Sequence, residues 1–169
     1  MTDLRKPLRL NLGFLVSATI GTSRDFTFDA TEIRLGDDFD LFNFEGIIKV
    51  TRTPQGLLTQ GNFRGSLPLE CVRCLNDYEQ FLSWEFTELF AFTNDNITDS
   101  GLLMPEDGFI DFEDIVREYG ILEIPISPIC TSECKGLCPV CGENLNEVDC
   151  GHRKPDIDSP FSALKDLIE

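Results

Sequence analysis

The sequence predicts an α+β fold: an antiparallel β-sheet of long strands, one amphipathic helix, a short C-terminal helix and a Cys-rich knuckle segment. Three observations carry this. Period-two apolar alternation and glycine-punctuated, β-prone runs occupy roughly the first ninety residues. One stretch between Asp111 and Leu122 changes to helical period. Five of the seven cysteines and the single histidine crowd between Cys130 and His152.

The elements follow in order. LRLNLGFLV sets Leu8, Leu10, Leu12 and Phe14 at alternate positions, and FTFDATEI, FDLFNFEGIIKV and GLLTQGNFRGSLPLE continue the strand pattern. Between Val50 and Leu57, TRTPQG is a turn signal, with Pro54 suited to the second turn position and Gly56 free to take a positive φ, so the flanking runs form a hairpin. That hairpin leads into CVRC at Cys71 to Cys74. DYEQFLSWEFTELFAF reads as a further long strand because Phe81, Trp84, Phe86, Phe90 and Phe92 give it aromatic weight, and its face residues are assigned to the core. Residues 93–108 are polar and turn-rich, a loop.

In DFEDIVREYGILEIP, Phe112, Ile115, Val116, Tyr119 and Leu122 share a helical face, with Asp111 as N-cap and Glu113 and Asp114 favoured by the helix dipole. The helix is expected to end near Gly120 or before Pro125. At the C-terminus Ser159 caps and Pro160 starts a short helix presenting Phe161, Leu164 and Leu167. A chain of 169 residues, 41% hydrophobic, can bury one core without covalent staples. The expected organisation is a single domain over 1–169: mainly β in 1–92, a loop in 93–108, and a helix plus Cys-rich tail in 109–169.

No run approaches the roughly 18–20 consecutive apolar residues of a membrane span, and the N-terminal stretch has no apolar core followed by a small-residue cleavage site. A cytoplasmic protein without membrane association is expected. An odd cysteine count with CxxC and CxxxC spacings fits metal ligation in a reducing compartment better than a disulfide framework.

The net charge is −16, concentrated in the middle of the chain. In residues 70–123, fourteen Asp or Glu against Arg73 and Arg117 leave −12. Such a field repels phosphate backbones and attracts basic proteins, besides keeping the surface solvated. Lys135, Arg153, Lys154 and Lys165 form a modest basic contrast in the tail, where a small RNA contact has room.

CPVCG at Cys138 to Gly142 is the strongest local motif. Two thiolates two residues apart can grip one ion while backbone N–H groups of the tight turn point at the sulfurs. Seven cysteines and one histidine make eight potential ligands, the number two closed tetrahedral zinc sites require. One partition joins Cys71, Cys74, Cys130 and Cys134 and leaves Cys138, Cys141, Cys150 and His152 as a local site. The other pairs Cys71 and Cys74 with Cys138 and Cys141 as a single ribbon. Either way one or two zinc ions would be structural, because a catalytic zinc needs an open position and usually a nearby base. No GxSxG, HExxH, Walker loop or GxGxxG is present, so nothing in the sequence calls for an enzyme.

The order CVRCL, an acidic helix running into EIPISPIC, CKGLCPVCGENLN and finally SPFSALKDL resembles the bacterial YceD family, the large ribosomal RNA subunit accumulation proteins. The likeness spans roughly residues 67–169. It is most specific at Gly136, Leu137, Cys138, Pro139, Cys141, Gly142, Asn144, Leu145 and Asn146. The resemblance implies a non-enzymatic role in ribosome biogenesis, supporting accumulation of 23S ribosomal RNA and the large subunit. A large-subunit ribosomal protein or a pre-ribosomal particle would be the partner, and no catalytic residues come with it. Cys150-Gly151-His152 stands where the family pattern has Cys-x-Cys, and imidazole can replace thiolate on zinc. The rival reading is a thiol-disulfide oxidoreductase or redox sensor using CVRC or CPVC. The apparent lack of a βαβ pattern and the surplus of neighbouring ligands stand against it.

Overall fold

The computed structural model describes residues 6–152. The predicted C-terminal helix, and with it Arg153, Lys154 and Lys165, lies outside them. The elements are β1 (Arg9–Asn11), a single turn α1 (Gly13–Val16), β2 (Ser23–Leu35), β3 (Phe39–Arg52), β4 (Gly56–Glu70), β5 (Asp77–Ala91), β6 (Phe109–Asp111) and α2 (Glu113–Leu122). Strands β2 to β5 form one antiparallel sheet in sequential order, and β1 pairs with β6 as a separate two-stranded ribbon. The antiparallel architecture with few helices matches the fold class read from the sequence.

Helix α2 and the β1/β6 ribbon share one apolar core with one face of the sheet, through Leu8, Leu10, Leu12, Ile110, Phe112 and Val116. Phe63 is the hub of that face. Its ring lies 5.4 Å from Phe44, 5.9 Å from Trp84, 6.0 Å from Phe28 and 6.1 Å from Phe86. Cross-strand glycines make room for these rings: Gly46 faces Phe63 and Gly61 faces Phe86 in register. A Cβ built on Gly46 would sit 2.0 Å from the Phe63 ring, so this close approach requires glycine.

A bulge in β3 between Phe42 and Glu45, with Asn43 at φ 50°, shifts the inward alternation from Phe39 and Leu41 to Phe44, Ile48 and Val50. The tip of the β2–β3 hairpin thereby turns toward α2. There Gly36 N donates to Glu113 Oε1 (3.0 Å) and Arg117 Nε donates to Asp38 Oδ1 (3.0 Å).

Several expectations are corrected. The strand at Leu8 to Phe14 shrinks to three residues, because Gly13 opens a helical turn that buries Leu15 and exposes Phe14. Gly56 has no positive φ. Glycine suits that position because a Cβ would stand 2.2 Å from the Phe90 carbonyl oxygen. Phe81 is exposed, being on the sheet face opposite Leu82, Trp84 and Phe86. Phe112, and not Asp111, occupies the N-cap position of α2, since Asp111 pairs in β6, although its carboxylate still accepts from Glu113 N at 3.2 Å. Gly120 is inside the helix, where its bare backbone packs on Phe39 and Trp84, and Leu122 faces out. Among the described residues no helix is long and apolar enough to cross a membrane.

Candidate metal centres

Cys71 directly follows β4 and Cys74 precedes β5, so the hairpin connection itself carries the first CxxC pair. Its backbone closes tightly. Cys71 N donates to Asn76 O and Leu75 N to Cys71 O, both at 2.9 Å, with Leu75 in the left-handed region at φ 59°. Two bonds tie the Cys-rich segment onto this loop: Val72 N to Pro128 O (2.9 Å) and Leu137 N to Arg73 O (3.0 Å). The Arg73 guanidinium also donates to Cys134 O at 3.1 Å. Gly136, at φ 76°, permits the crossing, for a Cβ there would stand 3.1 Å from Arg73 O.

The result is a four-sulfur group. Sγ of Cys71 lies 3.8 Å from that of Cys134, and Sγ of Cys74 lies 3.7 Å from that of Cys130. All four ligand atoms lie within 4.8 Å of one another. A disulfide needs an S–S separation of about 2.0 Å. Four sulfurs placed tetrahedrally at about 2.3 Å from a zinc ion stand about 3.8 Å apart. The donor chemistry and the spacing therefore suit a closed, tetrahedral thiolate site. Cys71, Cys74 and Cys134 are buried and Cys130 is half-buried.

Cys138, Cys141, Cys150 and His152 form the second group, also with ligand atoms within 4.8 Å. Here Gly142 N donates to Cys138 O (2.9 Å), Cys138 N to Glu143 O (2.8 Å), and Val140 N points at Cys138 Sγ (3.5 Å). Gly142 holds φ 78° in the turn. Only Cys138 is buried, while Cys141 and His152 face solvent. Among the described residues the eight side chains fall into these two groups, and the two CxxC pairs are not brought together as one ribbon.

The electrostatics favour anionic sulfur at one position of each CxxC. Burial works against the Cys71 thiolate, but the backbone amides of Cys130, Cys74 and Arg73 outweigh it and lower its pKa to about 6. Amides of Cys141 and Val140 bring Cys138 to about 6. Cys134 is lowered chiefly by the Asn146 amide, whose Nδ2 lies 3.4 Å from its sulfur. Cys74 moves the other way, to about 12: the Asn76 amide favours its thiolate, but burial and the three neighbouring sulfurs prevail.

Asn146 is a site residue to which sequence reasoning gave no role. Its backbone N and Nδ2 donate to Asn144 Oδ1, its own Oδ1 accepts from Lys135 N, and it thereby joins the Cys134 and Cys138 loops. The GENLN motif was its signal.

Fold and site together define a β-sheet protein with two cysteine-rich groups, one at the sheet end and one in the following segment, that could hold metal ions. The chain belongs to the YceD family: the family model described as "Large ribosomal RNA subunit accumulation protein YceD" matches residues 59–168, a span containing all eight side chains. An uncharacterised Mycobacterium tuberculosis protein is 33% identical over 126 residues, covering 72% of this chain and 60% of that protein. The Arabidopsis thaliana protein named large ribosomal RNA subunit accumulation protein YCED homolog 1, chloroplastic, is 28% identical over 152 residues, 72% of this chain and 47% of its own. The Bacillus subtilis protein YlbN is 34% identical over 107 residues, 62% of either chain. This chain spans about 60% of the length of the mycobacterial relatives it matches. No solved structure matches it.

Proposed function

We propose that this protein is a non-enzymatic ribosome-biogenesis factor. It acts in the cytoplasm as a single domain over 1–169 and supports accumulation of the large ribosomal RNA by binding a basic large-subunit protein or a precursor particle. Family membership is the observation that carries this reading. In it, Cys71, Cys74, Cys130 and Cys134 hold one structural zinc ion, and Cys138, Cys141, Cys150 and His152 hold a second. The first fastens the segment after α2 to the sheet end. The second rigidifies the tail, where Lys135 and its basic neighbours make a secondary contact with RNA.

The acidic surface supports a basic partner. Of the fourteen acids in 70–123, only Glu88, Asp111 and Glu113 are not fully exposed. Glu88 accepts from the Tyr119 hydroxyl at 2.8 Å, Asp111 pairs with Lys6, and Glu113 holds Gly36 N. Asp107 pairs with Arg9, and the other ten acids are available for steering, which acts chiefly on association rate and fades with salt.

Affinity purification at low and moderate salt tests the reading. Salt-sensitive recovery of large-subunit components is expected, weakened by Asp114→Asn and Glu118→Gln, which leave the Glu113 contact intact. Recovery of no ribosomal component at either salt would refute the biogenesis role. Tight binding to naked RNA, unaffected by those substitutions, would refute the acidic-surface mechanism alone.

The low pKa of Cys71 and Cys138 is the one observation that favours the oxidoreductase. Their exposures of 0% and 3% deny an attacking thiol access to its target, and each sulfur already faces other ligands. Structural ligation accounts for both facts.

A further inference from the structure

We propose that the free edge of β2 is a docking groove for an extended partner segment in which Lys or Arg alternates with apolar residues, added as a fifth strand. This deepens the proposed function, on which it rests for the source of the segment.

The outer edge of β2 is unpaired over thirteen residues among the described residues, since its backbone bonds run only to β3. The opposite edge is partly covered, because Ala91 N donates to Leu102 O and Met104 N to Ala91 O. An unpaired edge of this length is a ready template for another strand, and β2 carries neither Pro nor Lys to blunt it.

The two faces beside that edge differ. On the core side Phe26, Phe28 and Ala30 are only half-buried and line a cavity of about 600 Å³ with Leu8, Leu10 and Phe44. Asp25, Thr27 and Asp29 also line that cavity, and by strand alternation they present exposed side chains on the other face. A fifth strand would therefore set alternate side chains over the apolar cavity and beside the carboxylates.

Charge identifies the occupant. In register, Asp29 stands opposite Glu45, which is itself paired with Arg64, and Asp25 stands opposite Lys49. A cation beside Asp29 offsets its like-charge apposition to Glu45, and a second beside Asp25, four residues away, completes an alternating row with Lys49. A second copy of this chain fits poorly. Each copy carries −16, and two-fold registers centred on Thr27 or Asp29 oppose carboxylate to carboxylate.

The test uses the full chain with a synthetic peptide of alternating Lys and Val, a block peptide of the same composition, and an alternating Glu and Val peptide. Backbone hydrogen exchange is the readout. The alternating Lys and Val peptide is expected to slow exchange within residues 25–31, and the other two to leave it unchanged. Reversing both charges, Asp25→Lys with Asp29→Lys, is expected to weaken binding by roughly tenfold or more. The milder Asp25→Asn with Asp29→Asn is expected to weaken it roughly threefold, with the thermal transition preserved.

Equal binding of all three peptides, or protection away from β2, would overturn the proposal. So would edge protection that grows with protein concentration, which marks a second copy, or protection lost on deleting 153–169, which marks the chain's own tail. In affinity purification, full recovery of ribosomal components by the charge-reversed variant would overturn the groove and leave the ribosomal reading standing. Recovery of none by the unaltered protein, with the Lys and Val peptide still bound at β2, would do the reverse.

Discussion

Replacing Gly136 by alanine tests whether the two cysteine groups are mechanically joined. At φ 76° an alanine is strained by about 1 kcal/mol, and its Cβ would stand 3.1 Å from Arg73 O. That oxygen accepts the bond from Leu137 N, worth about 1 kcal/mol net, and relief of the clash lengthens it. The combined cost is about 2–3 kcal/mol. Gly142 serves as the internal control. Its φ is 78°, yet nothing lies within 4 Å of a built Cβ, so Gly142→Ala should cost only the strain, about 1 kcal/mol. Because the ligand sets exist only in the folded arrangement, these costs appear as weaker metal retention. Gly136→Ala should release the ion of the Cys71 group to a chromogenic chelator at roughly 30- to 100-fold lower chelator concentration, and Gly142→Ala should change the other ion by roughly fivefold. Hydrogen exchange should quicken at 71–76 in the first variant only. Equal effects from the two glycines, or no change in the Cys71 group, would refute the coupling.

Three further outcomes are expected. Protein purified without chelator should carry two zinc ions per chain by elemental analysis, with Cys134→Ser and Cys141→Ser each losing one. Metal-free protein with a readily cycled Cys71–Cys74 disulfide would support the oxidoreductase instead. Thiolates at Cys71 and Cys138 are favoured in the folded chain down to about pH 6, so the stability they contribute is complete above the unfolded thiol value and lost as pH falls through about 6. Zinc, which competes with protons for the same sulfurs, should stay bound at pH 7 and leave only below that point, as followed by metal release on acid titration. Gly46→Ala should destabilise by about 2–3 kcal/mol in urea denaturation, although alanine normally improves a strand interior, because Phe63 is fully buried among four rings and cannot yield.

Long-period features were legible in the sequence and short ones were not. The strands from Ser23 to Ala91 and the helix around Val116 announce themselves because alternation or helical period persists over ten or more residues. Alternation at Leu8, Leu10 and Leu12 announced β1, but β6 left no such trace, since three residues cannot establish a period, and the two partners are separated by about a hundred residues of chain. Phe81 was misread because aromatic content was counted without assigning faces. Its neighbours Leu82, Trp84 and Phe86 set the inward parity that excludes it. At the site, the eight metal-ligand candidates were visible as residue types. Their grouping was legible only as one of two open partitions, since a CxxC pair can share an ion with any other pair, and it is the folded path from Pro128 to Leu137 across the hairpin loop that sorts them. Asn146 escaped for a related reason: an amide facing sulfur has no sequence period.

The hairpin loop that carries Cys71 and Cys74 has a consequence for biosynthesis. Its sulfurs leave the ribosome well before Cys130 and Cys134, and at about 5–20 residues per second the interval lasts on the order of several seconds. Once β5 has followed them out, about forty residues before Cys130, the β4–β5 hairpin can pair and present the two thiols as an open chelator at its end. Any ion captured then is held by two ligands and remains exchangeable until the segment after α2 arrives. Closure of the Cys71 group therefore falls late in synthesis, and the Cys138 group, whose four side chains emerge within fifteen residues of one another, completes its set almost at once afterwards.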